Sequence, residues 1–132
     1  MPRHAWLLAG LALAACTATH AAVGAAPAPN YVVFFQEWSA ALDQPALATI
    51  AAAAVAAAKD PTAPVNVTGY ADPLGSKQAN IYLSETRAQV VIDQLTADGV
   101  APERTHLHAA GITNYSLTSQ ESRRVVITLG GS

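Results

Sequence analysis

The stretch Val67–Ala88, VTGYADPLGSKQANIYLSETRA, gathers the residues of this chain best suited to recognition chemistry. An apolar run (Val65, Val67) leads to Asp72, Pro73-Leu74-Gly75 makes a turn, and a helical segment then carries Asn80, Leu83 and Arg87. Residues three and four apart are neighbours on a helix surface, so these three share one stripe. A carboxylate and a guanidinium fork therefore flank one small cleft. The pair suits a zwitterion, because Arg offers paired donors to a carboxylate while Asp accepts from an ammonium. Spacing alone is equally compatible with an Asp72–Arg87 ion pair across the strand–helix junction.

Other combinations are weaker. His106 and His108 alternate around Leu107 and would share one face of a strand, but two imidazoles do not complete a metal site, and no third ligand stands nearby. A metal-dependent hydrolase built on them is the remotest alternative. Ser84 has no His partner in its motif, and no Gly-x-Ser-x-Gly elbow exists. No enzyme activity, cofactor or metal is expected.

Gly69, Asp72, Gly75, Ser76, Asn80, Leu83, Ser84, Arg87 and Ala88, followed much later by Arg123-Arg124-Val125, resemble the OmpA-like peptidoglycan-binding domain family. That family shows a strand ending in Gly-His-Thr-Asp, a Gly-Ser turn, Asn three residues before Leu-Ser, Arg-Ala, and a late Asn-Arg-Arg-Val. The resemblance covers roughly Tyr31 to Leu129. It implies that Asp72 and Arg87 bind the diaminopimelate side-chain end in the peptidoglycan stem peptide. It also implies that Asn80 lines the site, Leu83 floors it and Arg123 approaches it, whereas Arg124 points to the opposite face of the strand. The rival readings are a solvent-facing Asn80, a core Leu83, and arginines that are solvated or paired with Glu121. The chain departs from the family at Tyr70, Ala71 and Ser122, and in the first loop, Gln36-Glu37-Trp38-Ser39. Trp38 there suits packing on a sugar or peptide as well as it suits a buried anchor. The span from Gly111 to Arg123 is short beside many relatives. These departures motivate an alternative function, an OmpA-like protein-interaction module of an envelope assembly with weakened wall binding.

The 132 residues suit one domain with an N-terminal extension. A net charge of −2 without a Lys/Arg cluster gives no phosphate-tracking surface, so nucleic acid is not an expected partner. Arg3 and His4 precede an apolar run, Ala5–Ala15, that is too short to span a bilayer. It ends in Leu13-Ala14-Ala15-Cys16, which resembles a bacterial lipobox with Cys16 as the acylated residue. The competing reading is a plain secretory signal cleaved near Ala21 or Ala22. The expected layout is a signal peptide over 1–15, lipidated Cys16 and a flexible tether over 16–30, and an OmpA-like domain over 31–132. Its expected place is the outer membrane, lipid-anchored, with the domain in the periplasm and peptidoglycan as partner.

The pattern predicts a buried strand over Tyr31–Phe35 and a helix from Pro45 to about Lys59 with Leu47, Ile50, Ala54 and Val55 as its apolar stripe. A second strand follows over Val65–Tyr70. The second helix, about Ser76–Ala97, has Ala88, Val91, Ile92 and Leu95 inward and ends at Asp98-Gly99. Strands over Thr105–Ala110 and Val125–Leu129 complete an α/β (α+β) two-layer sandwich: a four-stranded mixed sheet with helices on one face, of βαβαββ type.

Overall fold

A computed structural model describes residues 29–112 and 119–130. The elements run β1 (Asn30–Phe34), α1 (Gln44–Ala58), β2 (Val65–Ala71), α2 (Lys77–Ala97), β3 (Thr105–Ile112), α3 (Ser119–Ser122) and β4 (Arg124–Leu129), with a 3-10 turn at Pro102–Arg104. They form a four-stranded mixed sheet in the order β1-β4-β2-β3. β2 and β3 are parallel, and α2 supplies the crossover such a pair needs; β4 runs antiparallel to both β1 and β2. α1 packs on β1 and β4, α2 packs on β2 and β3, and the helices touch each other. β2 shows the consequence: Val65, Val67, Gly69 and Ala71 are buried, while Asn66, Thr68 and Tyr70 alternate half-buried on the other face.

Local chemistry explains the helix starts. The Asp43 side chain accepts from Ala46 N at 2.9 Å and Pro45 sits in the first turn, where its missing N–H costs nothing. Ser76 caps α2 by accepting from Ala79 N at 3.1 Å. The predicted inward face of α2, Ala88, Val91, Ile92 and Leu95, is the observed one, joined by Asn80, Ser84 and Arg87. Gly99 follows the helix at φ +103°.

Three expectations need correction. α1 buries Ala46, Ile50, Ala53, Ala54 and Ala57, whereas Val55 is 65% exposed and Leu47 only half-buried. In a helix so rich in alanine, Leu47 and Val55 do not define the phase; the buried face is Ala46, Ile50, Ala53, Ala54 and Ala57. The first strand is not buried throughout, because it is an edge strand: Val33 faces the helices while Phe34 is exposed. Its pairing begins at Asn30, opposite Thr128, so the domain takes in one residue assigned to the tether. The one-turn α3 was not expected. The proposed signal segment and Cys16, and part of the span between Gly111 and Arg123, lie outside the described residues.

Two close contacts set the distance between α2 and the sheet. A Cβ on Gly69 would stand 2.0 Å from the backbone oxygen of Ser84, so only glycine lets β2 lie this near α2. Ser84, fully buried, donates to Ile81 O at 2.8 Å and accepts from Gly111 N at 3.2 Å. That second bond holds β3 where its register against β2 shifts, with Gly69 opposite Ala109 and Tyr70 opposite Gly111. The serine is a packing and bonding residue of the strand–helix interface.

Candidate functional site

A cleft opens where β2 ends, lined by Glu37, Trp38, Asp72, Leu74, Asn80, Leu83, Arg87 and Arg123. The five residues singled out on sequence grounds, Asp72, Asn80, Leu83, Arg87 and Arg123, thus meet in one place. The cleft encloses about 10 Å³, near the minimum for one water, and about 220 Å³ when its open mouth is included.

Arg87 is the least ordinary member. It is 0% exposed, the largest fully buried side chain among the described residues. Its Nε donates to Ser39 O at 2.8 Å and its Nη2 to Gln36 O at 2.9 Å, so it clamps the β1–α1 loop from beneath. Its guanidinium also lies 5.3 Å from the centre of the Phe35 ring. Nη1 is buried without any hydrogen-bond partner. Burial foremost, and the nearby Arg123 charge after it, lower the Arg87 pKa from its ordinary value to about 10, with Asp72 opposing the shift. The group stays cationic at neutral pH. A buried cation with one unused donor is costly, and an anion placed at Nη1 would relieve that cost.

Asp72 closes a tight turn after β2: its Oδ1 accepts from Leu74 N at 3.1 Å. Its Oδ2 faces Arg123 Nη1 at 3.4 Å, a long contact in which the two side chains are 13% and 15% exposed. The ion pair envisaged between Asp72 and Arg87 is therefore not formed; Arg123 is the partner of Asp72. Arg123 also donates from Nε to Phe35 O at 3.3 Å.

Asn80 is buried at 1% exposure, which overturns the solvent-facing reading. Its Nδ2 donates to Leu74 O at 2.8 Å and Ser76 O at 3.1 Å, so both amide protons tie the turn to the helix. Leu83 is half-buried on the cleft wall. Arg124 lies apart: it donates to Glu121 O at 2.6 Å and stacks 4.3 Å from the ring centre of Tyr70. Tyr70 sits on the face of β2 opposite its buried residues, so the family's histidine position contributes no cleft residue here.

His106 and His108 are both exposed on β3, an edge strand, and no group of three or more His, Cys, Asp or Glu gathers among the described residues. Sequence reasoning missed the clamp by Arg87 on Gln36 and Ser39, because the acceptors are backbone carbonyls that any residue supplies. It also left Trp38 undecided. Trp38 is not a buried anchor: it is 58% exposed and lies across Gly75, where a Cβ would stand 2.9 Å from Trp38 Cη2. Its φ of +52° is unusual for a bulky residue and costs about 1–2 kcal/mol.

This two-layer sandwich, with a charged cleft where its parallel strand pair meets the first loop, defines an OmpA-like domain. A profile described as the OmpA family matches residues 34–125, and the chain belongs to that family. It is 33% identical over 107 residues to probable lipoprotein YiaD of Escherichia coli (strain K12), covering 76% of this chain and 48% of that protein. It is 40% identical over 70 residues to outer membrane protein 41 of Porphyromonas gingivalis, covering 52% of this chain and 18% of that one. The chain thus spans less than half the length of either curated relative. Among solved structures, the peptidoglycan-associated lipoprotein from Burkholderia pseudomallei superposes with a TM-score of 0.67 at 20% identity, over 75% of this chain and 89% of that one. The C-terminal domain of Helicobacter pylori MotB gives 0.65 at 25% identity, over 79% and 85%. Among the described residues, no helix is long and apolar enough to cross a membrane.

Proposed function

We propose that the cleft binds peptidoglycan without covalent bonding, by holding the amino-acid end of diaminopimelate in the stem peptide. In this reading the guest carboxylate takes the spare Nη1 of Arg87 and the guest ammonium takes Oδ2 of Asp72. The observation that carries it is the buried Arg87 nitrogen without a partner, on the wall of a cleft that also presents a carboxylate. Each charge-assisted bond would contribute about 1.5–3 kcal/mol. A guest larger than a water needs Arg123 to swing off Asp72, and the 3.4 Å separation makes that contact weak enough to give way. Asn80 then shapes the turn, and Leu83 floors the site.

With a lipid on Cys16, the domain would couple the outer membrane to the wall. Modest affinity per site suffices, because a tethered domain faces a polymer of closely repeated sites. Asp72→Asn is the cleaner test, since it keeps the Oδ1 acceptor for Leu74 N and removes only the charge. Pull-down on purified sacculi should fall at least about tenfold with Asp72→Asn, the scale of one charged hydrogen bond. Undiminished pull-down would remove Asp72 from the site.

The small enclosed volume and the Asp72–Arg123 contact favour a second reading, an envelope protein-interaction module that has weakened its hold on the wall. Titration with a diaminopimelate-containing stem peptide separates the two: saturable binding supports the first, and none supports the second.

A further inference from the structure

Trp38 has no part in holding the two charges of the guest, yet it stands at the mouth of the cleft that holds them. More than half of its surface is open, and Leu74 beside the same cleft is 59% exposed. Two large apolar side chains left open together at the rim of a charged site are a binding surface more readily than a folding one. The backbone supports this. The loop carries Trp38 at a positive φ that most residues avoid, and Arg87 fixes the loop on either side through Gln36 O and Ser39 O. Gly75, having no Cβ, leaves room for the outer edge of the indole, which lies against it.

We infer that Trp38 is the specificity-determining residue of this cleft: with Leu74 it forms an apolar wall that packs on the uncharged stem behind the guest's zwitterionic head. Asp72 and Arg87 alone cannot tell one α-amino acid from another, since every one carries the same ammonium and carboxylate. The wall can, because it rewards a head borne on an aliphatic chain and the amide planes beyond it. The occupant is thus an amino-acid head on an extended aliphatic peptide stem, in preference to a compact free amino acid. This rests on the proposed ligand of the cleft and adds a source of selectivity to it.

The test compares a diaminopimelate-containing stem peptide with glycine, in the full chain and in Trp38→Gly and Trp38→Phe. Glycine tolerates the positive φ, so Trp38→Gly removes the wall without straining the loop. The wild-type chain should prefer the stem peptide over glycine by about tenfold or more, the scale of burying two methylenes. Trp38→Gly should lose most of that preference, and Trp38→Phe should restore part of it. Only Trp6 and Trp38 occur in the chain, so a blue shift of tryptophan emission on adding peptide, kept in Trp6→Phe, would place the guest against Trp38. Full preference in Trp38→Gly, or equal affinity for both ligands in the wild-type chain, would overturn the inference. Failure of every variant, wild type included, to bind either ligand would instead remove the cleft's proposed ligand, and the wall's role with it.

Discussion

Two arginines in this fold do the same structural job at different places and end differently. Arg104 donates from Nε to Ala63 O at 2.9 Å and from Nη2 to Ala57 O and Asp60 O at 3.0 and 2.7 Å, stapling the α1–β2 loop. Arg87 staples the β1–α1 loop through Gln36 O and Ser39 O. Arg104 is half-buried and none of its nitrogens is buried without a partner; Arg87 is wholly buried and one is. A guanidinium used only as a staple can leave its remaining donors to water. One sealed away with an unused donor carries an unmet desolvation cost, and that difference marks the first loop as the one built around a charge.

The comparison can be broken in order of expected effect. Arg87→Ala removes two bonds to the loop and opens a void in the sandwich, so urea unfolding should show a loss of about 3 kcal/mol or more. It is accordingly a poor test of binding alone; a variant as stable as the wild type would show that the clamp does not hold the loop. Gly69→Ala should come next, at about 2 kcal/mol or more, because the new Cβ meets the Ser84 carbonyl and must push α2 off the sheet. Its thermal midpoint tests this, and an unchanged value would mean that the helix has slack the packing does not suggest. Arg104→Ala should cost about 1–2 kcal/mol and leave sacculus pull-down as it was. Reduced pull-down from Arg104→Ala would erase the distinction between the two staples.

The resemblance to OmpA-like domains was carried by side chains with fixed roles at fixed spacing. Ser76 caps, Ser84 bonds to β3 and Gly69 allows contact, and each leaves a letter in the sequence. The inward face of α2 was legible because Val91, Ile92 and Leu95 stand among polar residues. The stripe of α1 is only half legible: Ile50 and Ala54 are buried as expected, but alanine fits either face, and Val55 stands exposed. For Asn80 the sequence leaves open a site-lining or a solvent-facing place, and only the fold shows its side-chain amide holding the turn.

What the sequence determined by itself is local and periodic: where strands and helices lie, which residues cap them, and which charged side chains converge at the end of β2. Which of those charges pair was decided only in three dimensions. Arg123 rather than Arg87 meets Asp72, and Arg87 turns to two backbone carbonyls some fifty residues away in the chain. Backbone acceptors carry no signature in the sequence, and desolvation depends on what the rest of the fold lays over a residue, so the spare donor on Arg87 could be found only once the sandwich had closed.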